Sequence, residues 1–293
     1  MVRYEIVNMF TDRAFAGSAL GVVPEADDLA AHDMQAIARE LNLPETAFVL
    51  TPSLAAASYR VRVFTPAKES SFGAHASPGT AATLARLGKI PAGRVVQECG
   101  SKLLSLDVTA DVVTVTASAP LESSPVDPSL LLAACCLGRD DIYATPRTAG
   151  FGPLFHYLPA RRDAVARARM NATQMRTVAL SDVFVFSWNR EERTAHARLF
   201  SPGYKIPEDP ACASAALGLG AWLVEAGWLP ARDGTHDYQI HQGIEMDRPS
   251  TLTCAVTVHA GRVTSCSVSG QVVCSAHGQI AVRQGPHPHA VPA

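Results

Sequence analysis

The stretch Val61–Pro91, VRVFTPAKESSFGAHASPGTAATLARLGKIP, has a counterpart in Ala197–Pro230, ARLFSPGYKIPEDPACASAALGLGAWLVEAGWLP, and the architecture follows from that repetition. Arg62, Phe64 and Pro66 match Arg198, Phe200 and Pro202, and a run of small residues follows each set. An Ala/Leu-rich helical pattern then stops at Gly88 or Gly227 and leaves through Ile90-Pro91 or Leu229-Pro230. A glycine just past the last periodic residue supplies the left-handed turn that closes a helix, and a proline beyond it cannot continue the helix. Each unit therefore reads as strand, loop, helix, stop. The matching phenylalanines stand 136 residues apart in a chain of 293, which predicts two structurally related halves.

Outward from the repeat, strands are expected at 2–8 and 18–23, then a helix from about Ala30 to Leu41, with Asp27 or Asp28 as its cap and Met34, Ile37, Ala38 and Leu41 as its apolar stripe. Further strands are expected near 46–50, 57–64, 94–98, 103–109 and 112–117, the last two joined across Ala110-Asp111. The later part predicts strands near 154–158, 183–187, 195–200, 252–258 and 262–268, with helices at 128–137 and 211–225. Short turns between strands and one principal helix per half predict an α+β protein with mixed or antiparallel sheets, not a doubly wound parallel sheet. The halves are placed at 1–124 and 125–275, with a C-terminal strand near 276–285 completing the first and a disordered tail at 286–293.

Composition narrows the function classes. The chain is 47% hydrophobic and 18% charged, as an ordinary globular protein is, and a net charge of −2 gives no general attraction for nucleic acid or an anionic membrane. The N-terminus lacks the basic start and apolar core of a signal peptide, and no apolar run approaches the roughly 18 residues of a membrane span. A cytoplasmic protein is expected, with neither nucleic acid nor membrane as partner. Cys99, Cys135, Cys136, Cys212, Cys254, Cys266 and Cys274 are odd in number and contain no C-x-x-C pair, which predicts reduced, mostly buried thiols. His287 and His289 lie in the Pro-rich tail, and no metal site is expected there or elsewhere.

The repeated loop joins a strand to a helix N-terminus, where backbone N–H groups lack partners and the helix dipole is positive. Gly73, Ala74, Ala76, Gly79, Ala211, Ala213 and Ala215 are small enough for a ligand to approach that backbone. Two such loops facing one cleft would bind a carboxylate or an enolate-like oxygen. No nucleotide-binding G-x-x-x-x-G-K-[ST] or G-x-G-x-x-G occurs, and Ser77 in HASPG lacks the first glycine of a hydrolase nucleophile elbow.

These motifs together resemble the phenazine-biosynthesis isomerase-like (PhzF-like) family within the diaminopimelate epimerase-type fold. DRAFAGSALGVV (Asp12–Val23), MQAIARELNLPETAFV (Met34–Val49), FTPAKESSFGAHASPGTA (Phe64–Ala81), IPEDPACASAA (Ile206–Ala216) and IHQGIEMDRPS (Ile240–Ser250) look like five of that family's segments, in its order. The resemblance covers nearly the whole chain. It implies two strand barrels, each wrapped on a central helix, a cleft between them, no metal or organic cofactor, and a homodimer. It further implies that Glu45 is the catalytic acid/base, with His75, Asp209 and Ser214 as polar residues of the cleft. Gly73, Ala74, Ala76, Ser77, Cys212 and Ala213 would approach a small carboxylic acid substrate. By residue type alone, Glu45 is a loop acid, His75 a structural histidine, Asp209 before Pro210 a cap or turn former, and Ser214 a small helical residue.

Two departures matter. Gly73-Ala74-His75-Ala76 stands where the family usually reads Ala-Gly-His-Pro, and Cys212-Ala213-Ser214 where it reads Thr-Gly-Ser, so two loop glycines are alanines. Cofactor-independent racemases of the superfold use two facing cysteines; Cys212 fits the second position, but the first loop offers Gly73. The resemblance implies a proton and double-bond shift in a conjugated acid, with a racemase or a non-catalytic binding protein as the alternatives.

Overall fold

In the computed structural model, which describes residues 1–70, 75–204 and 206–282, the repetition extends through the strand order of the two halves. The first half runs β1 (Val2–Met9), β2 (Ser18–Val23), α1 (Ala31–Leu41), β3 (Glu45–Leu50), β4 (Tyr59–Phe64), β5 (Glu69–Ser70), α2 (Ser77–Arg86), β6 (Gly93–Cys99), β7 (Lys102–Thr109) and β8 (Val112–Ser118). After α3 (Pro128–Cys135), the order recurs as β9 (Arg147–Gly150), β10 (Leu154–Pro159), two short helices α4 (Arg162–Arg167) and α5 (Ala172–Thr177) in place of α1, then β11 (Val183–Asn189), β12 (Thr194–Ser201) and β13 (Ile206–Asp209). The long helix α6 (Ala213–Glu225) and β14 (Gly234–Gln242), β15 (Ser250–His259) and β16 (Arg262–Ile280) complete it. Strand pairing repeats as well. β2–β3 and β4–β6 are parallel, as are β10–β11 and β12–β14, and the remaining neighbours named so far are antiparallel.

Each half curls into a barrel whose seam is closed by a segment from the other half's end. The 19 residues of β16 pair first with β15, then with β8, and from Val272 onward with β1. Reciprocally, the chain leaving β8 runs along β9, with Leu121 N–H donating to Gly150 O at 2.8 Å and Thr148 N–H to Ser124 O at 2.8 Å. This exchange forms a mixed α+β fold of two barrels joined by their closing segments.

The helices α2 and α6 sit inside these barrels. Ser77 through Leu84 of α2 are all buried, as is nearly every residue of α6, so neither helix has the polar face of a surface helix. Glycines let the strands close in. A Cβ on Gly218 or Gly220 of α6 would strike the hydroxyl of Tyr157 or Tyr238, which instead donate to Ala215 O at 2.6 Å and Ala216 O at 2.7 Å. Both helices end as the repeat predicts. Gly88 and Gly227 have φ of 67° and 70°, and the following N–H groups of Lys89 and Trp228 each donate at 2.8 Å to Leu84 O and Leu223 O.

Other details differ from the sequence reading. Neither Asp27 nor Asp28 caps α1, whose N-cap is Ala30 without a side-chain bond; Asp27 lies too early and accepts from Thr51 N–H and Oγ1–H instead. Residues 276–280 are the end of β16, not a separate strand, while 283–285, the tail at 286–293 and both its histidines lie outside the described residues. Strand β14 escapes the hydrophobic pattern because it turns His236 and Gln242 inward with Tyr238 and Ile240. The seven cysteines form no disulfide with one another, and four of them are buried.

Candidate active site

The repeated loops and the two barrels converge on one cleft of about 490 Å³, lined by residues of both halves. From the first half come Glu45, Thr65, Lys68 and His75; from the second, Phe155, Leu199, Asp209, Cys212 and Ser214. Glu45, His75, Asp209, Cys212 and Ser214, expected from sequence, thus line one cleft, although 164 positions separate Glu45 from Asp209.

Glu45 opens β3, where pairing with Leu20 of β2 fixes its backbone, and is 8% exposed. Its Oε2 is buried without a hydrogen-bond partner. Burial pushes its carboxyl up to about 7; the nearby His75 opposes that rise and Asp209 adds to it. A carboxyl group near neutrality changes protonation state readily at physiological pH, as an acid/base group must.

His75 precedes α2. Its Nε2 lies 3.3 Å from Ser18 Oγ and its Nδ1 4.0 Å from Asp209 Oδ2, so it links the first hairpin to the second barrel. Asp209 ends β13 and turns the chain into α6, its Oδ1 accepting from Ala211 N–H at 3.1 Å. Burial raises the Asp209 carboxyl, while His75, the Ala211 N–H and the Cys212 thiol pull the other way. Cys212 is the N-cap of α6 and is 7% exposed. Burial and Asp209 push its thiol well up, opposed by the backbone N–H groups of Ala215 and Ser214. The donor atoms of His75, Asp209 and Cys212 all lie within 4.8 Å of one another.

The remaining expected residues divide. Ser214 lines the cleft from the first turn of α6. Ala76, Ser77 and Ala213 are buried outside the lining, and Ser77 Oγ accepts from Gln97 Nε2 at 2.7 Å. Gly73 and Ala74 lie outside the described residues. At Ala213 the backbone is helical with no positive φ, so alanine in place of the family's glycine carries no conformational strain there.

The residues that hold this site were not individually legible in sequence. Gln242 Nε2 donates to Asp209 O at 2.6 Å and Ser250 Oγ to Pro210 O at 2.8 Å, which clamps the Asp209-Pro210 turn. Arg248, from the same IHQGIEMDRPS segment, donates through Nε to Gly17 O at 2.8 Å and so ties the second half to the first hairpin beside Ser18. Behind each loop stands a repeated clasp: Arg62 binds Glu69 through two bonds of 2.7 Å, and Arg198 binds Glu208 through bonds of 2.8 and 2.9 Å. Phe64↔Glu69 and Phe200↔Glu208 are equivalent strand pairs, and each arginine also lies over its own phenylalanine ring.

Two pseudo-symmetric barrels with helical cores and one shared cleft define the diaminopimelate epimerase-like fold. The family model described as PhzC-PhzF, phenazine biosynthesis-like protein, matches residues 7–278, and the chain belongs to that family. An uncharacterized isomerase of Mesorhizobium japonicum is 31% identical over 94% of this chain and 98% of its own length. The trans-2,3-dihydro-3-hydroxyanthranilate isomerase of Pseudomonas chlororaphis is 29% identical, covering 96% of this chain and 99% of that one. The crystal structure of the Bacillus anthracis phenazine biosynthesis protein of the PhzF family superposes with a TM-score of 0.85 at 21% identity, over 96% and 99% of the two chains. The protein is an isomerase of this family. No helix among the described residues is long and apolar enough to cross a membrane.

Proposed function

We propose that this isomerase moves a proton, and with it a double bond, within a small conjugated ring carboxylic acid, in a pathway of secondary metabolism. Glu45 is the group that carries the reading: a buried carboxyl, held near 7 by desolvation, with one oxygen free of partners and facing a cleft between two barrels. Such a group takes a proton from one carbon as carboxylate and returns it to another as acid, on the same face of the substrate. His75 and Asp209 hold the polar substituents of the ring, and Ser214 holds its carboxylate or the enolate oxygen that develops during transfer. A cleft of about 490 Å³, walled by Phe155, Leu199, Ile206 and Pro44, suits a single-ring acid.

The test is turnover of trans-2,3-dihydro-3-hydroxyanthranilate, the compound in the name of the Pseudomonas relative, alongside other cyclic diene and dihydropyrrole acids. Migration of the double bond shifts the ultraviolet chromophore. Wild-type protein should shift it and Glu45→Gln should bind without shifting it; a wild-type enzyme that leaves every one of these chromophores unchanged contradicts the proposal.

A further inference from the structure

Cys212 lines the cleft, yet proton transfer by Glu45 gives its thiol no task. Its sulfur stands with His75 and Asp209 in a triangle of donor atoms no more than 4.8 Å apart, drawn from both halves of the molecule. The His75–Asp209 edge is 4.0 Å. Tetrahedral zinc, with bonds of about 2.0–2.3 Å, spaces its ligand atoms roughly 3.3–3.8 Å apart. With a single sulfur among the ligands the widest such spacing is roughly 3.6 Å, so an ion at the centre of this triangle needs its longest edge, at most 4.8 Å, to close by no more than about 1.3 Å.

The donor set also selects the ion. One imidazole nitrogen, one carboxylate oxygen and one thiol suit zinc and similar thiophilic divalent ions, whereas calcium and magnesium prefer all-oxygen shells. Two of the three groups are nine-tenths or more buried, and a further buried oxygen in the same cleft, Glu45 Oε2, has no partner. Cys212 replaces the threonine usual at this position in the family, so the soft ligand belongs to this chain's own departure from the pattern.

We infer that His75, Asp209 and Cys212 form a binding site for a thiophilic divalent ion, with zinc as its fitting occupant and the cleft side as its open coordination position. Binding breaks the Cys212 S–H bond and forms a sulfur–metal bond; the proton leaves to solvent and no electrons change hands. The ion is an inhibitor and not a cofactor, because it takes His75 and Asp209 away from the substrate. That consequence rests on the function proposed above; the site itself does not.

Cobalt(II) added alone to the full chain reads the site without reference to turnover. One equivalent should bind and produce the near-ultraviolet charge-transfer band of a thiolate–cobalt bond. Cys212→Ser should abolish the band, and His75→Gln should weaken cobalt binding by more than the ~10–100-fold typical of losing an outer-shell partner. A wild-type protein without the band, or a band of equal intensity in folded Cys212→Ser, overturns the inference. Should Cys212→Ser fail to fold, the histidine variant decides, since undiminished cobalt affinity in His75→Gln also overturns it. A negative cobalt result leaves the acid–base function standing, because Glu45 takes no part in this measurement.

Discussion

His75 Nδ1 and Asp209 Oδ2 face each other at 4.0 Å across the seam between the two barrels, one held by Ser18 of the first hairpin and the other by Gln242 of the second half. The distance is too long for a direct hydrogen bond, so each group keeps hydrogen-bonding capacity toward the cleft. Glu45 lies in the field of both, and the sum of burial, His75 and Asp209 sets its proton affinity.

The pH profile follows from that sum. With Glu45 acting first as base, kcat/KM should rise about tenfold per pH unit below about 7 and flatten above it. A steady-state profile checks this; an acid limb near the ordinary carboxylate range of about 4 would contradict the buried-base assignment.

Stability should move the opposite way. The folded state holds the Glu45 proton more tightly than the unfolded chain between the ordinary value of 4.5 and about 7, so stability present at low pH is lost as pH rises through that window and stays lost above it. Glu45→Gln removes the charge that burial penalises. It should lower turnover by about 10²–10⁴-fold while gaining roughly 3 kcal/mol of stability at pH 8 and almost none at pH 4. Urea unfolding at the two pH values measures the difference.

The repeated arginine clasps should prove unequal. Arg62 and Glu69 are 32% and 43% exposed along their side chains, so Arg62→Ala should cost under about 1 kcal/mol. Arg198 is 10% exposed, also donates to the carbonyls of Ala166 and Ala168, and sits beside Glu245 as well as Glu208. Arg198→Ala leaves the Glu208 carboxylate unpaired and Glu245 with His196 alone, and should cost about 3–5 kcal/mol. Parallel denaturation of the two variants gives the comparison.

Gln242 should act on turnover through Asp209. Gln242→Leu leaves the Asp209 carbonyl without its 2.6 Å donor in a buried turn, for about 1–3 kcal/mol of stability. The loosened turn should lower kcat by up to about 10²-fold. Separate determination of kcat and KM in the folded variant checks the claim; an unchanged kcat would show that the clamp is structural only.

The architecture was legible wherever the sequence repeats itself with chemistry attached. Phe64 and Phe200, Gly88 and Gly227, and the prolines beyond them fixed two equivalent units, because helix stops and strand alternation are local signals. The cleft partners Glu45, His75 and Asp209 were reached through family motifs, since nothing local marks a glutamate after a proline as buried. What stayed hidden depends on distant contacts. β14 buries polar residues and so lacks an apolar rhythm, the swapped closure by β16 is a matter of barrel geometry, and Arg248 reaches Gly17 across 231 positions. Asp27 shows the converse error: a good capping residue type was claimed by Thr51, which only the folded chain brings near.

The path of the proton tests the central claim most directly. If Glu45 removes and returns hydrogen inside the closed cleft, substrate deuterated at the donor carbon should yield product carrying part of that deuterium at the new carbon. The remainder is lost to exchange of the carboxylic acid with solvent, to the extent that the cleft admits water. Turnover in heavy water should place solvent deuterium at one carbon and on one face only. NMR of the isolated product reads both. Partial internal transfer with single-face labelling is the predicted result; labelling on both faces, or product formed with no hydrogen transfer or exchange at carbon, would contradict a one-carboxyl proton shift by Glu45.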